Sequence, residues 1–244
     1  MDSPFESLGH EETPAGPIRL WRRRDPRLDV DVYEVKLGDE YLMTSLFPQS
    51  EIALADLGLE RVDGDDLRVV VGGLGLGYTA NAVLADDRVA ELLVVEASPA
   101  VIQWHREGLV PGAAELVADP RTRLVEGDFF RLATSPDGFD DDAPGRRFDA
   151  LLVDIDHTPE HHLDDAHGFF YEPAGLAATM AHVRPDGVFG FWSDGPPIDA
   201  FTARLGEVLD AVEAIDVPFD NPLTRGTSHD TVYVGIARGE RPDD

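Results

Sequence analysis

From Leu67 onward the chain alternates short runs of β-branched and aliphatic residues with amphipathic stretches, and no other feature restricts its fold as strongly. Such a rhythm calls for a parallel sheet with helices covering both faces. Strands are expected at Leu67 to Val71, Leu92 to Val95, Arg123 to Glu126, Ala150 to Asp154 and Val188 to Trp192. Helices are expected around Tyr78 to Leu84, Ala100 to Glu107 and Gly175 to Val183. Near the end, Ala214 to Val217 and Thr231 to Ile236 are strand-like, but Pro218 to Asp230 between them lacks a helical repeat, so these two strands should be antiparallel. The fold class is α/β: a doubly wound, mostly parallel, seven-stranded Rossmann-like sheet with an antiparallel last strand.

The first 64 residues differ. Ile18 to Trp21 and Val30 to Val35 alternate at period two, and Gly38-Asp39 offers a turn before Glu40 to Met43, which predicts a small β-hairpin domain. A helix over Gln49 to Leu59 links it to a second domain over 65–244, with Asp63-Gly64-Asp65-Asp66 as the boundary. Ser135 to Gly145, rich in turn formers and acids, reads as a surface loop.

Charge narrows the partners. The formal charge is −28, from 48 acids against 20 bases, and Lys36 is the only lysine. That field repels phosphate backbones and argues against nucleic acid, whereas a cationic small molecule is attracted. Because the acids are spread along the chain, they serve equally as a solvation device of the kind used at high salt, with arginine replacing lysine through genome composition. No apolar run reaches the roughly 18 residues of a spanning helix, and Met1-Asp2-Ser3-Pro4 lacks a signal-peptide pattern, so a cytoplasmic protein without a membrane partner is expected. The absence of cysteine excludes disulfides and thiolate chemistry.

Val70-Val71-Gly72-Gly73-Leu74-Gly75-Leu76-Gly77-Tyr78 places glycines where the first strand of the repeat meets a helix, so a ligand can approach the backbone closely. Gly73, Gly75 and Gly77 are candidate cofactor contacts. Glu96 ends the next strand about twenty residues on, where a carboxylate accepts ribose hydroxyls, with Ala97 beside it. Asp128 and Phe129, after the third strand, suit an adenine amino group and ring face. No lysine follows the glycines, which excludes a triphosphate P-loop. Gly75 to Ala80 also fits the dinucleotide pattern G-x-G-x-x-A, leaving an NAD-dependent oxidoreductase as an alternative. The acid after the third strand and the helix-free final strand pair favour an adenosyl sulfonium.

These segments, with Val101-Ile102, Phe148-Asp149-Ala150 leading into Asp154, Phe170-Tyr171 and Arg184-Pro185-Asp186-Gly187, resemble the spermidine and spermine synthase family from about Leu67 to Ala237. The resemblance implies the class I S-adenosylmethionine-dependent methyltransferase fold, with S-adenosylmethionine or its decarboxylated form as donor. It also implies an amine acceptor held by carboxylates, a strand domain at the N-terminus and a homodimer. Asp154, at the carboxyl end of the fourth strand, matches the first acid of the family's D-x-x-D motif and is the candidate catalytic base. Asp156, His157, Gln49 and Asp194 are candidate acceptor contacts.

Three departures stand out. Gly75 occupies the position of the acid that pairs with the donor's aminopropyl amine in the family, leaving room for the carboxylate of ordinary S-adenosylmethionine. His157 replaces the second aspartate of D-x-x-D. Gln49-Ser50-Glu51 is the nearest counterpart of the family's Tyr-His-Glu acceptor segment. Methyl transfer therefore competes with aminopropyl transfer, and a non-catalytic adenosyl-binding module is a further alternative. Asp154, Asp156, His157, His161 and His162 invite a metal reading, but Pro159 interrupts any common helix face, and no metal is expected. Trp104 and His105 read as packing residues on their helix.

Overall fold

A computed structural model describes residues 5–13, 16–155, 158–161 and 165–239. Two sheets organise it. The smaller is a four-stranded antiparallel meander of β1 (Phe5–Thr13), β2 (Gly16–Asp25), β3 (Val30–Leu37) and β4 (Glu40–Thr44), in the order β1-β2-β3-β4. Period-two alternation turns Ile18, Leu20 and Val35 inward, where they join the core of the larger layer.

The larger sheet comprises β5 (Leu67–Gly72), β6 (Val89–Glu96), β7 (Thr122–Glu126), β8 (Phe148–Val153), β9 (Val183–Asp194), β10 (Leu209–Asn221) and β11 (Gly226–Ala237). Its order is β10-β11-β9-β8-β5-β6-β7, parallel from β7 through β9 and antiparallel where β11 meets β9 and β10. The doubly wound expectation, with its reversed last strand, agrees with this order.

The two faces of the sheet are sorted by residue parity. Val69 and Val71 pack with residues of α1 (Gln49–Leu59), α2 (Tyr78–Leu84), α3 (Pro99–Arg106) and α4 (Ala113–Ala118). Val70 and Leu93 pack on the other side with α5 (Phe129–Thr134), a 3-10 segment (Asp165–Tyr171), α6 (Pro173–Met180) and α7 (Asp199–Val208). That second core is aromatic: Tyr171 meets Phe191 edge-on at 5.7 Å, and Phe201 meets Tyr233 at 5.1 Å. Each such ring, fully withdrawn from water, contributes about 1.5–3 kcal/mol of transfer free energy.

Two arginines, each just ahead of a strand, tie that strand's lead-in to the end of a helix from an earlier βα unit. Arg88 donates to the carbonyls of Val62 (2.7 Å) and Leu59 (2.9 Å) at the end of α1, while Asp86 holds the same guanidinium. Arg121 repeats the device one unit later, donating to Leu84 (2.9 Å) at the end of α2 and to Val89 (3.1 Å), with Asp119 as its carboxylate. The Leu84 carbonyl in the last turn of α2 gains its partner in this way, while the Leu59 carbonyl also accepts from Val62 N–H at 3.1 Å.

Several local expectations need correction. The N-terminal sheet has a further strand, β1, whose Gly9 lies so close to the Trp104 ring on α3 that a side chain there would overlap it. The stretch 218–230 is mostly strand, because β10 runs to Asn221 and β11 starts at Gly226, leaving a four-residue turn. The helix expected to reach Val183 stops at Met180, and Val183 opens β9. The acidic loop 135–145 is not all surface: Phe139 is buried against Phe129, and buried Asp140 pairs with Arg123 (2.5 Å) and Arg146 (2.7 Å). Trp104 and His105 are buried on α3, as expected of packing residues, and His105 Nδ1 donates to the Val101 carbonyl at 3.0 Å. Among the described residues no helix is long and apolar enough to cross a membrane.

Candidate active site

The carboxyl ends of β5, β6 and β8 converge on the glycine segment. Gly73, Gly75 and Gly77 all take positive φ (92°, 49° and 84°), a region that L side chains rarely adopt. Gly73 is the most constrained, because a Cβ there would overlap the Asp154 carbonyl oxygen. The turn is anchored by Gly73 N–H donating to Val95 O (2.9 Å) and Asp154 N–H donating to Gly72 O (2.8 Å). Bare backbone therefore lies beside the end of β8 where Asp154 emerges.

A hollow of about 320 Å³ opens there, near the lower end of the roughly 300–1,000 Å³ usual for ligand pockets. Leu74 to Tyr78 form one wall, and Leu42, Met43 and Phe47 from the small sheet and its connection to α1 form another. Phe219 of β10 closes the rim, its ring 5.4 Å from that of Phe47. Four carboxylates line the same space: Glu51, Asp154, Asp194 and Asp230.

Their surroundings explain their protonation. Asp154 accepts a hydrogen bond from the buried Thr79 hydroxyl (2.6 Å), and burial pushes its carboxyl up to about 6, with Asp230's charge adding to the rise. Glu51, on the first turn of α1, is pushed up to about 8, first by burial and then by the negative charge of Asp154. Asp230 is buried and accepts from the Ser50 hydroxyl (2.6 Å), and burial raises it too. Asp194 lies directly opposite Asp230 across the β9–β11 ladder, at the exposed edge of the hollow. Four acids, with no basic residue among the described residues of the lining, form a cavity suited to a cation.

The expected contacts divide. Gly75, Gly77, Asp154 and Asp194 line the hollow; Gly73 does not, and instead packs against the backbone of Asp154. Gln49 does not line it: it is exposed at the start of α1, and the next helical positions turn Glu51 into the site and Ser50 onto Asp230. Asp156 and His157 lie outside the described residues, as does His162 of the metal reading. Among the described residues no three side chains cluster as metal ligands.

Glu96 and Asp128 were expected to share this hollow, and neither lines it. Glu96 accepts from the backbone N–H groups of Leu74 (3.0 Å) and Ser98 (2.8 Å), and burial raises its carboxyl against the opposing pull of those donors. The N–H groups of Gly75 and Ala97 also act on this carboxylate, so four amides share its oxygens and a ribose diol has to compete with them. Exposed Asp128 caps α5, accepting from Arg131 N–H at 3.1 Å, and Ala97 is exposed beside Glu96. Phe129 is not an open ring face: it is 3% exposed and stacks on Phe139 at 5.2 Å, beneath Gly72. Asp230 was not anticipated as a site residue. An isolated acid opening the otherwise uncharged strand Thr231 to Ile236 was the available signal.

No protein-family model matches the sequence, and no curated protein matches it. Among solved structures, the chain is similar to a spermidine synthase from Thermotoga maritima, with a TM-score of 0.69 at 17% identity over 94% of this chain and 72% of that one. It is likewise similar to a spermidine synthase in complex with the transition-state analogue AdoDATO, with a TM-score of 0.70 at 16% identity over the same shares of the two chains. The four-stranded meander and the seven-stranded, mostly parallel sheet together constitute the spermidine synthase fold, whose larger layer is of the class I methyltransferase type.

Proposed function

We propose that this chain is a transferase that moves an alkyl group from an adenosyl-sulfonium donor to a small cationic amine. The observation that carries the proposal is the meeting of the glycine segment with four carboxylates around one hollow. The fold shared with spermidine synthases supports the same assignment. The donor, S-adenosylmethionine or its decarboxylated form, supplies an electrophilic carbon next to a positive sulfur. Gly73, Gly75 and Gly77 give it close backbone approach, and Glu96 accepts the ribose hydroxyls in place of part of its shell of backbone amides.

An ammonium must lose a proton before its nitrogen can attack. Asp154, raised to about 6, is largely ionised near neutral pH and is the assigned base, whereas Glu51, raised to about 8, is mostly protonated there. Asp194 and Asp230 hold the acceptor's positive charge and offset its repulsion from the sulfonium. Between the two alkyl groups, Gly75 favours methyl transfer, since no carboxylate at that position pairs with a donor amine.

Calorimetric titration with S-adenosylmethionine, decarboxylated S-adenosylmethionine and NAD tests the donor. A sulfonium should bind; binding of NAD alone rejects the proposal, and sulfonium binding without any product from an amine panel assigns a binding module instead.

The raised acids also set a pH dependence. Ordinary carboxylates titrate near pH 4, so between that value and about 8 the folded protein holds protons that the unfolded chain has released. Stability therefore falls as pH rises through this window. Glu51→Gln removes part of this penalty and is expected to melt several degrees above the wild type at pH 8.5, with the gap closing by pH 5. Equal melting temperatures at both pH values would refute the buried charge assigned to Glu51.

A further inference from the structure

The outward face of the small sheet carries a second hollow of about 860 Å³, walled by Phe5, Trp21, Tyr41, Phe47 and Leu223. Its electrostatics oppose those of the site above. His10, Arg19, Lys36 and Tyr41 occupy consecutive rungs across the four strands, each directly opposite the next. Lys36 Nζ sits 4.2 Å from the centre of the Tyr41 ring. The other arginines of β2 are engaged: Arg22 by Glu6, Arg23 by Glu34 and Asp25, Arg24 by Asp29 and Asp31. Arg19 and Lys36 have no carboxylate partner among the described residues. Glu34 and Asp39 also line the hollow, but Glu34 is committed to Arg23, and Asp39, in the β3–β4 turn, is paired with neither cation.

Like charges directly opposite on neighbouring strands are destabilising. In a chain with 48 acids and 20 bases, carboxylates to neutralise such a pair are abundant, yet this rung has none. A guanidinium fork beside an ammonium matches the three oxygens of a phosphate, and the aromatic walls match a flat apolar group joined to it. The long-range field of the chain repels anions, so attraction has to come from this local pair.

We propose that the Arg19–Lys36 face of the small sheet is a binding site for an organic phosphate with a planar apolar moiety. Nothing in this site depends on the transferase assignment. Phenyl phosphate is the probe, titrated calorimetrically at low ionic strength with phenol as the neutral control. Phenyl phosphate should saturate the wild-type protein and phenol should not. Arg19→Ala and Lys36→Gln should each weaken phenyl phosphate binding at least about tenfold, the scale of a lost charge-assisted hydrogen bond. Both substitutions relieve the opposed charges, so the melting temperature without phosphate should be maintained or raised in each. Lys36→Gln keeps a stem over Tyr41, so it reports the charge should Arg19→Ala disturb the sheet. Absence of saturable binding, or unchanged affinity in both variants, overturns the site.

Discussion

Asp154→Asn should lower the rate of alkyl transfer by about 10²- to 10⁴-fold, the usual worth of a positioned base, while donor affinity is retained. The asparagine carbonyl can still accept the Thr79 hydroxyl's hydrogen bond, so the end of β8 keeps its shape and only the charge and basicity are lost. The fold should not weaken, because an expensive buried charge has been removed. Single-turnover rates by product mass, beside calorimetry for the donor, separate the two effects. A variant as fast as the wild type would transfer the role of base to Glu51. Loss of donor binding together with rate would make Asp154 part of the donor's seat.

Gly73→Ala is expected to cost about 3 kcal/mol or more of stability, a mechanism-specific loss at the upper end of single substitutions. Two penalties combine: a φ of 92°, and overlap of the new methyl with the carbonyl oxygen of Asp154, a backbone atom that moves only if β5 and β8 part at their ends. Gly64→Ala provides the comparison, since Gly64 has a φ of 96° but open space where its Cβ would sit. It should lose only the conformational part, about 1–2 kcal/mol. Urea denaturation of both variants measures the difference; equal losses would mean that the approach of Asp154 to the glycine turn is slack.

Much of this architecture was legible because local pattern and tertiary demand agreed. The helices over Gln49–Leu59 and Tyr78–Leu84 have the bounds expected, and the five parallel strands lie where aliphatic runs placed them. What escaped was short or unpatterned. β1 reads Phe-Glu-Ser-Leu-Gly-His-Glu-Glu-Thr, with no alternation, because it is an exposed edge strand held by pairing to β2. α5 was obscured because Asp128 and Phe129 were assigned to a nucleoside, whereas an aspartate preceding Phe-Phe-Arg-Leu is equally a helix cap. α7 carried a readable signal, Phe201 and Leu205 four apart after Asp199, in a stretch masked by its proline-rich lead-in.

The site divides along the same line. Glycines and strand-end acids announce themselves by position within a repeating unit, so Asp154 and Asp194 could be found from spacing. Asp230 joins them only because the Ser50 hydroxyl bonds a residue 180 positions away, a pairing created by docking α1 against the end of β11. Gln49 and Glu51 differ by two positions on one helix, and their opposite fates depend on how that helix is rotated, which its weakly amphipathic sequence leaves undetermined.

Arg88 and Arg121 give the arginine-rich composition an architectural reason beyond codon usage. Each spreads one fork over two or three main-chain oxygens, which a lysine ammonium, a single point of charge, does not span in the same way. Concentrated electrolyte weakens contacts between exposed opposite charges, but a bond from guanidinium to a neutral, partly sheltered oxygen is far less screened. In brine the protein's surface ion pairs would fade first, and these rivets between successive βα units would go on holding the layers in register.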